Sequence, residues 1–478
     1  MRGLEARIRE TDRWRTHCLW TALSAIGVLL VSYAPANGQD TLALDLPGTM
    51  ERALLMSPEL LAAQAAAEAS EAQVRQVQSL RFLPEGEFTT AFSAAPGVTN
   101  PNGVSTEALY LDPAVRNDFG NLNPYFQSEV SLLQPLFTWG ALGGGIRAAG
   151  AGLEVQIGML EGRRLAAALR AGELYYDLLL AMELYRLAER VGDVVSQAMR
   201  EIDRLLQEGD PDVDDADRYQ VLITQQEYAR RVVEVTEKRV LARSAMQRQL
   251  MLPQETVVML SAEFLTPLAF APAPLGQYRN AALQYRPELA QAQAGLVARD
   301  ALIRVARAEY YPQVAAAFAL NTSGAANRYR QPNPYVSDGF RRTGMSAGVG
   351  IRQKLNFSQT RARVRRAEAQ RDEVRHLLTA AEQLVHLEVE QAWRNLEVER
   401  AALAAQDSAL AISKEWLRVE YINFDLDLGD TENLVRAVQA SLELEARYFE
   451  AVRRYNVAVL RLLAASGLLI REMNSLAE

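Results

Sequence analysis

Residues 53–60 read ALLMSPEL, and residues 281–289 read AALQYRPEL, which places Pro58 and Pro287 at an offset of 229. Further pairs follow in the same order at slowly drifting offsets. They are RFLPE (81–85) with EYYPQ (309–313), VSLLQPL (130–136) with VGIRQKL (349–355), and ELYYDLL (173–179) with EQAWRNL (390–396). Matches that keep one order indicate two copies of one structural unit. The Pro-rich segment 253–274 is predicted to link them.

Each copy contains long stretches with helical spacing of apolar residues. Residues 139–209 contain no proline, and residues 358–428 contain neither proline nor glycine. A helix of roughly 65 to 70 residues spans about 100 Å, which indicates a coiled-coil-like wall or stalk. Shorter helical stretches precede these runs at 47–82 and 275–311, and others follow at 213–252 and 431–465. Together, the shorter helices are long enough to flank each long helix along its whole length.

Four stretches alternate between apolar and polar residues, at about 85–95, 125–137, 312–321 and 343–356. The pattern is clear where Met345, Val349 and Ile351 alternate with Ser346, Gly350 and other small or polar residues. It predicts strands with one apolar and one polar face. Such strands suit either a half-buried soluble sheet or a membrane barrel, and alternation alone favours the soluble sheet.

Two further features favour the barrel. Aromatic residues cluster where strands meet helices, and rings of this kind favour the membrane interface; they are Phe82, Phe137, Trp139, Tyr310, Tyr311 and Phe357. The segments joining each strand pair, 96–124 and 321–342, are long and rich in Pro, Asn and Gly, as in extracellular barrel loops. Four strands cannot close a barrel, so the free edges must pair with other copies of the chain.

The N-terminus has the features of a secretory signal. Five arginines between positions 2 and 15 precede an apolar stretch at 18–34 and the small-residue pattern Ala36-Asn37-Gly38. We therefore expect a signal peptide at 1–38, with an uncleaved anchoring helix as the alternative. The predicted organisation is then a first repeat at 39–252, the linker at 253–274 and a second repeat at 275–478.

Composition and motifs argue against an enzyme or a nucleic-acid-binding protein. The chain has 478 residues and a formal charge of −8, without a basic cluster after its first residues. His376 and His386 lie ten positions apart, which does not place them on adjacent helical turns as metal ligands. Gly143-Gly144-Gly145 is not followed by Lys-Ser/Thr, so it is not a phosphate loop. We expect no catalytic residues, no metal and no cofactor.

These features together resemble the TolC-like outer-membrane efflux proteins. Residues 134–140, QPLFTWG, resemble the strand-to-helix junction of that family, and Pro58-Glu59-Leu60 and Pro287-Glu288-Leu289 resemble its paired helix starts. The resemblance implies an α+β membrane protein, with a trimeric 12-stranded β-barrel built from four strands per chain. A long α-helical coiled-coil tunnel through the periplasm would continue this barrel.

The resemblance also implies a function. The protein would be the outer-membrane channel of a tripartite efflux or type I secretion system, passively conducting substrates from pump and periplasm to the exterior. Its partners would be two further copies of itself, outer-membrane lipid, a periplasmic adaptor and an inner-membrane pump of RND or ABC type. The alternatives are a periplasmic coiled-coil adaptor and a structural stalk protein without a channel.

Acidic residues cluster at the breaks between each long helix and its returning helix. Aspartate caps turns and helix N-termini, which explains part of the cluster. In an oligomer, the same acids would form a negative ring that attracts cations. The resemblance implies acids deeper in the returning helix, where Asn433 and Arg436 stand in this chain. We therefore predict a periplasmic gate at the tips, formed by Asp210, Asp212, Asp214, Asp215, Asp217, Phe424, Asp425, Asp427, Asp430 and Glu432.

Overall fold

The computed structural model describes residues 41–81, 84–103, 109, 113–208, 215–253, 255–329, 333, 335–426 and 431–477. The predicted signal peptide lies outside them. The first half contains β1 (Thr41–Leu44), α1 (Leu46–Met56), α2 (Pro58–Ser79), β2 (Glu85–Thr99), β3 (Arg116–Phe137), α3 (Ala141–Glu208) and α4 (Asp215–Gln249). The second contains β4 (Val257–Leu260), α5 (Leu275–Tyr285), α6 (Pro287–Ala308), β5 (Gln313–Ala325), β6 (Arg342–Arg352), α7 (Phe357–Asp425), α8 (Thr431–Ala465) and a final 3₁₀ turn (Met473–Ala477).

The repeated prolines break the first helical stretch of each half into two helices. Pro58 begins α2 and Pro287 begins α6. Ser57 and Arg286, the residues before them, are extended with ψ of 123° and 121°. Proline disfavours the helical conformation in the residue that precedes it, so the helix ends there. The same local rule therefore produces the same break in both copies.

The predicted rods are present in both halves. Helix α3 has 68 residues and α7 has 69, so each is about 100 Å long at 1.5 Å per residue. Helices α2 and α4 both pack along α3, while α6 and α8 both pack along α7. Helix α3 also packs on α6 and α8, which joins the two halves. Within its own half, each long helix is thus flanked by two shorter ones, as the sequence indicates.

The four predicted strands form one antiparallel sheet in the order β2-β3-β5-β6. Strands β2, β3 and β5 extend further toward the loops than the sequence alternation indicates, because Gly, Asn and Pro residues near the loops still join the ladder. A β-bulge at Leu136 means that Phe137, rather than Leu136, pairs with Val314. The two halves therefore share one sheet through the β3–β5 pairing.

A second, two-stranded sheet was not predicted. β1 pairs in parallel with β4, with Leu44 opposite Leu260. Strand β4 lies inside the segment 253–274, which the sequence analysis treated as linker alone. Four-residue strands give too short a pattern for recognition from sequence.

The main hydrophobic core lies where these small strands meet the middle of the helices. Met50 of α1, Met246 of α4, Val389 of α7 and Leu460 of α8 are fully buried there. The linker is tied to this core by Asn456, whose side chain accepts a hydrogen bond from Leu268 N and donates one to Thr266 O, both at 2.8 Å. Among the described residues, no helix is long and apolar enough to cross a membrane.

Candidate functional site

One face of the four-stranded sheet is apolar across all strands. In register, Phe88 lies opposite Val130, Val130 opposite Leu320, and Leu320 opposite Met345. Phe88 and Met345 are 68% and 74% exposed, although both are large and apolar. Exposed apolar surface of this extent indicates contact with a partner or a membrane.

The opposite face is polar or lined by small residues. The next register row contains Thr89, Glu129, Asn321 and Gly344. Side chains alternate along a strand, so these residues lie on the other side of the sheet from the apolar row. Leu133 is an exception, since it is partly exposed on the polar face. One apolar and one polar face are typical of a wall that separates lipid from water.

At the helix end of the sheet, three of the predicted interface aromatics lie in contact. The Trp139 ring stacks on Tyr311 with centroids 4.7 Å apart, and Phe137 packs edge-on against Trp139 at 4.9 Å. All three rings are about half exposed. Tyr310 takes part through its carbonyl, which accepts a hydrogen bond from Gln353 Nε2 at 3.1 Å. Phe357 begins α7 and is also half exposed, while Phe82 lies outside the described residues.

An ion-pair cluster lies beside these rings. Glu309, just after α6, pairs with Arg363 of α7 at 2.7 Å and with Lys354 at 3.4 Å. Burial opposes ionisation of the carboxyl, but the hydrogen bond from Arg363 and the charge of Lys354 outweigh it, and the pKa of Glu309 is lowered. The charged form of Glu309 thus links α6, α7 and the segment between β6 and α7.

The far ends of the helices hold the predicted gate. Asp210, Asp212, Asp214, Asp427 and Asp430 lie outside the described residues. Asp215 begins α4 and is exposed, Asp217 lies in the first turn of the same helix, and Phe424 and Asp425 end α7. Glu432, in the first turn of α8, is paired with Arg436. The structure therefore places the described members at the ends of two helical hairpins, α3–α4 and α7–α8.

Near these ends, the long helices α3 and α7 and the returning helices α4 and α8 border a groove that was not predicted from the sequence. Its volume is about 930 Å³. It is lined mainly by apolar side chains, with a few polar and basic ones: Val191, Val194, Val195, Gln197, Val221, Thr224, Lys414, Leu417, Arg418, Tyr421, Leu434, Val435, Val438, Gln439 and Leu442. Tyr421 is 64% exposed within it. No sequence pattern marks the groove, because its lining comes from four helices that are distant in sequence.

Helices α3 and α4 are held together beside the groove by Tyr228. Its hydroxyl donates to the carbonyl of Ala188 at 2.8 Å. Burial, together with nearby Asp193 and Glu189, raises the pKa of Tyr228, so the hydroxyl keeps its proton and remains a donor. This contact fixes one wall of the groove.

Neither the histidines nor the acids form a metal site in the part of the chain that the structure describes. No group of three His, Cys, Asp or Glu side chains there is arranged to hold a metal ion.

Known proteins share this architecture. Residues 278–468 match the family model of the outer membrane efflux protein. A search of curated proteins gave no significant match.

Several solved structures are similar over most of the chain. A membrane protein from Pseudomonas aeruginosa is 18% identical, with a TM-score of 0.71 over 88% of this chain and 93% of that one. The Campylobacter jejuni CmeC outer membrane channel is 16% identical, with a TM-score of 0.70 over 91% and 89%. The open state of the Neisseria gonorrhoeae MtrE outer membrane channel is 16% identical, with a TM-score of 0.68 over 88% and 89%.

At these identities, the likeness to solved structures shows the fold alone. Residues 278–468 match the model of the outer membrane efflux protein family, and the chain as a whole has the fold of the outer membrane channels CmeC and MtrE.

Proposed function

We propose that this protein is the outer-membrane channel of a tripartite efflux or secretion system and conducts substrates passively from the periplasm to the exterior. The observation that carries the proposal is the sheet. It has an exposed apolar face, a polar opposite face and two free edges, and it continues directly into helices about 100 Å long. A sheet facing lipid on one side and water on the other forms the wall of a barrel.

Closure of that barrel requires further copies. Strands β2 and β6 are the two edges, and successive strands run antiparallel, so β6 of one copy can pair antiparallel with β2 of the next. Open edges in lipid would leave backbone groups unsatisfied. Three copies give twelve strands, which is the homotrimer that the resemblance to TolC-like proteins implies.

The internal duplication indicates how the helices of neighbouring copies pack. Within one chain, Gly158 of α3 lies against Gln291 of α6. The repeat offsets relate Gly158 to His376 of α7, and Gln291 to Ala62 of α2. Both His376 and Ala62 are exposed in the single chain. Between copies, α7 therefore packs on α2 of the neighbour in the way that α3 packs on α6 within the chain.

The helical hairpin ends form the periplasmic gate in this proposal. Asp215, Asp425 and Glu432 lie at hairpin ends, and each occurs three times around the mouth of a trimer. Repeated carboxylates in a narrow opening attract cations and repel anions. Replacing Asp425 and Asp427 by Asn should lower cation preference in planar bilayers. Unchanged ion preference and conductance would remove these acids from the gate.

The partners are a periplasmic adaptor and an inner-membrane pump of RND or ABC type. The groove near the hairpin ends supports the adaptor, because it is apolar, partly open and bordered by helices from both halves. An apolar helix face from a partner fits such a groove. The channel itself needs no cofactor, and no catalytic role is proposed.

The decisive experiment combines fractionation with conductance. The protein, expressed in a Gram-negative host, should fractionate with outer membranes, run as a trimer in mild detergent and give discrete conductance steps in planar bilayers. A protein found as a soluble periplasmic monomer, or one that never conducts, would refute the channel and favour the adaptor or stalk alternatives.

A further inference from the structure

At the loop end of the sheet, the polar face is covered. Ala95, Asn123 and Ala325 are buried, although polar-face residues in the middle of β2 and β6 are exposed. The register pairs Ala95 with Asn123 and Ala325 with Tyr125. Tyr125 shares a face with Gln127, since its hydroxyl donates to Gln127 Oε1 at 3.2 Å. The covering segment therefore lies on the polar side, which faces the lumen in the proposed barrel.

That segment comes from the loop between β5 and β6. We call residues 326–329 and 335–341 of this loop the strap. Phe340 of the strap packs edge-on against Tyr125, with ring centroids 5.7 Å apart and planes at 81°. Arg341 donates to the carbonyl of Ala325 at 3.3 Å. The strap is thus folded back onto the sheet instead of extending away from the barrel end.

Arg328 fixes the strap to the first half of the chain. Its guanidinium donates to the carbonyl of Pro96, to the carbonyl of Gly97 at 3.2 Å and to Asn117 Oδ1 at 2.9 Å. The register of the β2–β3 ladder shifts at this point, because Pro96 pairs with Leu122 and Gly97 with Asp118, which leaves residues 119–121 of β3 without partners in β2. The Arg328 side chain is only 8% exposed.

Within the strap, Arg328 also holds the returning part of the loop. It forms an ion pair with Asp338 at 3.7 Å and lies over the ring of Phe340, 4.4 Å from its centroid. A buried cation with hydrogen bonds to two carbonyls and an amide is costly to leave unpaired, so the contacts hold the strap as a unit. One side chain thus joins β2 at the register shift, the start of β3 and both parts of the strap.

We propose that the strap is a second constriction, at the extracellular exit of the channel, and that Arg328 keeps it closed against the lumen wall. It sets the largest solute that can pass the exit, separately from the periplasmic gate at the hairpin ends. The inference rests on the proposed channel, because the polar face lines a pore only in a closed barrel.

The test measures access from outside. Ser131 lies on the polar face between the strap and the helices, opposite Glu87 and Ala319. Cys18 is the chain's only cysteine and falls within the predicted signal peptide, so S131C provides a single reporter with the unsubstituted chain as blank. Intact cells are treated with a small charged methanethiosulfonate, or with a maleimide carrying a bulky polyethylene glycol chain.

With the native strap, S131C should react with the small reagent and resist the bulky one. In S131C/R328Q, the bulky reagent should react about tenfold faster, the change in open population expected when charge-assisted hydrogen bonds are lost. R342Q is the matched control, because Arg342 is exposed at the same end of the sheet and its loss removes the same charge. In S131C/R342Q, the bulky maleimide should still label S131C slowly.

The outcomes separate the two proposals. Failure of the small reagent to reach S131C would refute the water-filled channel, and the strap with it. Suppose that the small reagent labels S131C and that the bulky maleimide labels it at the same rate with R328Q, with R342Q and with the native strap. This result would refute the constriction by the strap and leave the channel standing. If R328Q does not reach the outer membrane, F340A takes its place, since it removes both ring contacts and keeps Arg328. If F340A leaves the rate of labelling by the bulky maleimide unchanged, the constriction by the strap is likewise refuted.

Discussion

The indole N–H of Trp139 donates to the carbonyl of Pro312 at 2.7 Å and so joins the two repeats where the sheet meets the helices. Trp139 adopts a left-handed conformation with φ of 52°, followed by Gly140 with φ of 85°. Such a conformation costs a bulky residue free energy, which the Pro312 bond and the stack on Tyr311 offset. The chain turns from strand to helix at this point.

Replacing Trp139 should therefore weaken the junction in two steps. W139F keeps a ring for the stack but removes the donor to Pro312, and we expect a loss of about 1 kcal/mol in unfolding free energy. W139A removes the stack as well, and about 2 kcal/mol should be lost in total. Thermal unfolding in detergent measures both. F357L is a control with similar exposure at the start of α7, and a loss as large as that of W139A would contradict a specific role for Trp139.

Glu309 predicts a pH dependence of stability at the same junction. Its pKa is lowered in the fold, so the stabilising contribution is present above the unfolded pKa and lost as pH falls through the folded value. E309Q should cost roughly 0.5–1 kcal/mol near pH 7, a modest amount because Arg363 and Lys354 are half exposed. The difference between the variant and the native protein should shrink as pH falls below the unfolded pKa, and it should vanish only once the pH lies below the lowered folded pKa.

The control for this prediction is E154Q, which removes an exposed acid on α3. The thermal midpoints of the native protein, E309Q and E154Q, measured between acid and neutral pH, show whether the contribution of Glu309 depends on its charge. A difference between E309Q and the native protein that stays constant down to acid pH would show that packing, not charge, holds Glu309.

Local patterns explain how far the sequence predicts this fold. Alternation identified β5 and β6, and the absence of helix breakers identified α3 and α7, because each signal is carried by consecutive residues. The repeated prolines are equally local. By contrast, β1 pairs with β4 across more than two hundred residues, and the groove draws on four helices. Contacts of that kind leave no period in the sequence.

Some residues of the candidate site were likewise predictable from the sequence, and others were not. The aromatic junction was predictable, because Phe137, Trp139 and Tyr311 stand next to strand ends in the sequence. Arg328 was not, because its role depends on the carbonyl of Pro96, which lies at a register shift in the other repeat. The gate acids remain a prediction, with several of them outside the described residues.

The duplication gives a prediction for the assembly. His376 of α7 should lie against Ala62 of α2 in the neighbouring copy, as Gly158 lies against Gln291 within the chain. The double variant H376C/A62C should therefore form disulfide-linked oligomers under mild oxidation, and each single variant should not. Denaturing gels without reductant report the result.

The control for cross-linking is H386C/A62C, since His386 lies ten positions further along α7 and is about 15 Å away along the helix axis. Equal cross-linking in both double variants would indicate random collision and would contradict the predicted register between copies.

The groove predicts how the adaptor is recognised. Val438 of α8 lies in the groove, together with Val194 of α3 and Tyr421 of α7. V438R places a charge among these apolar side chains, where a docked helix would have to desolvate it, and we expect adaptor binding to weaken by at least about tenfold. V438L is the matched control, because it keeps the position apolar and should bind within about twofold of the native protein.

Binding of the cognate adaptor to detergent-solubilised channel, followed by interferometry, gives the dissociation constants, and bilayer recordings show whether V438R still conducts. Retained conductance with lost binding would place the adaptor in the groove and separate docking from pore formation. Native-like binding by V438R would place the adaptor elsewhere on the hairpins, since a partner seated against Val438 cannot accommodate an arginine there without losing its own apolar contacts.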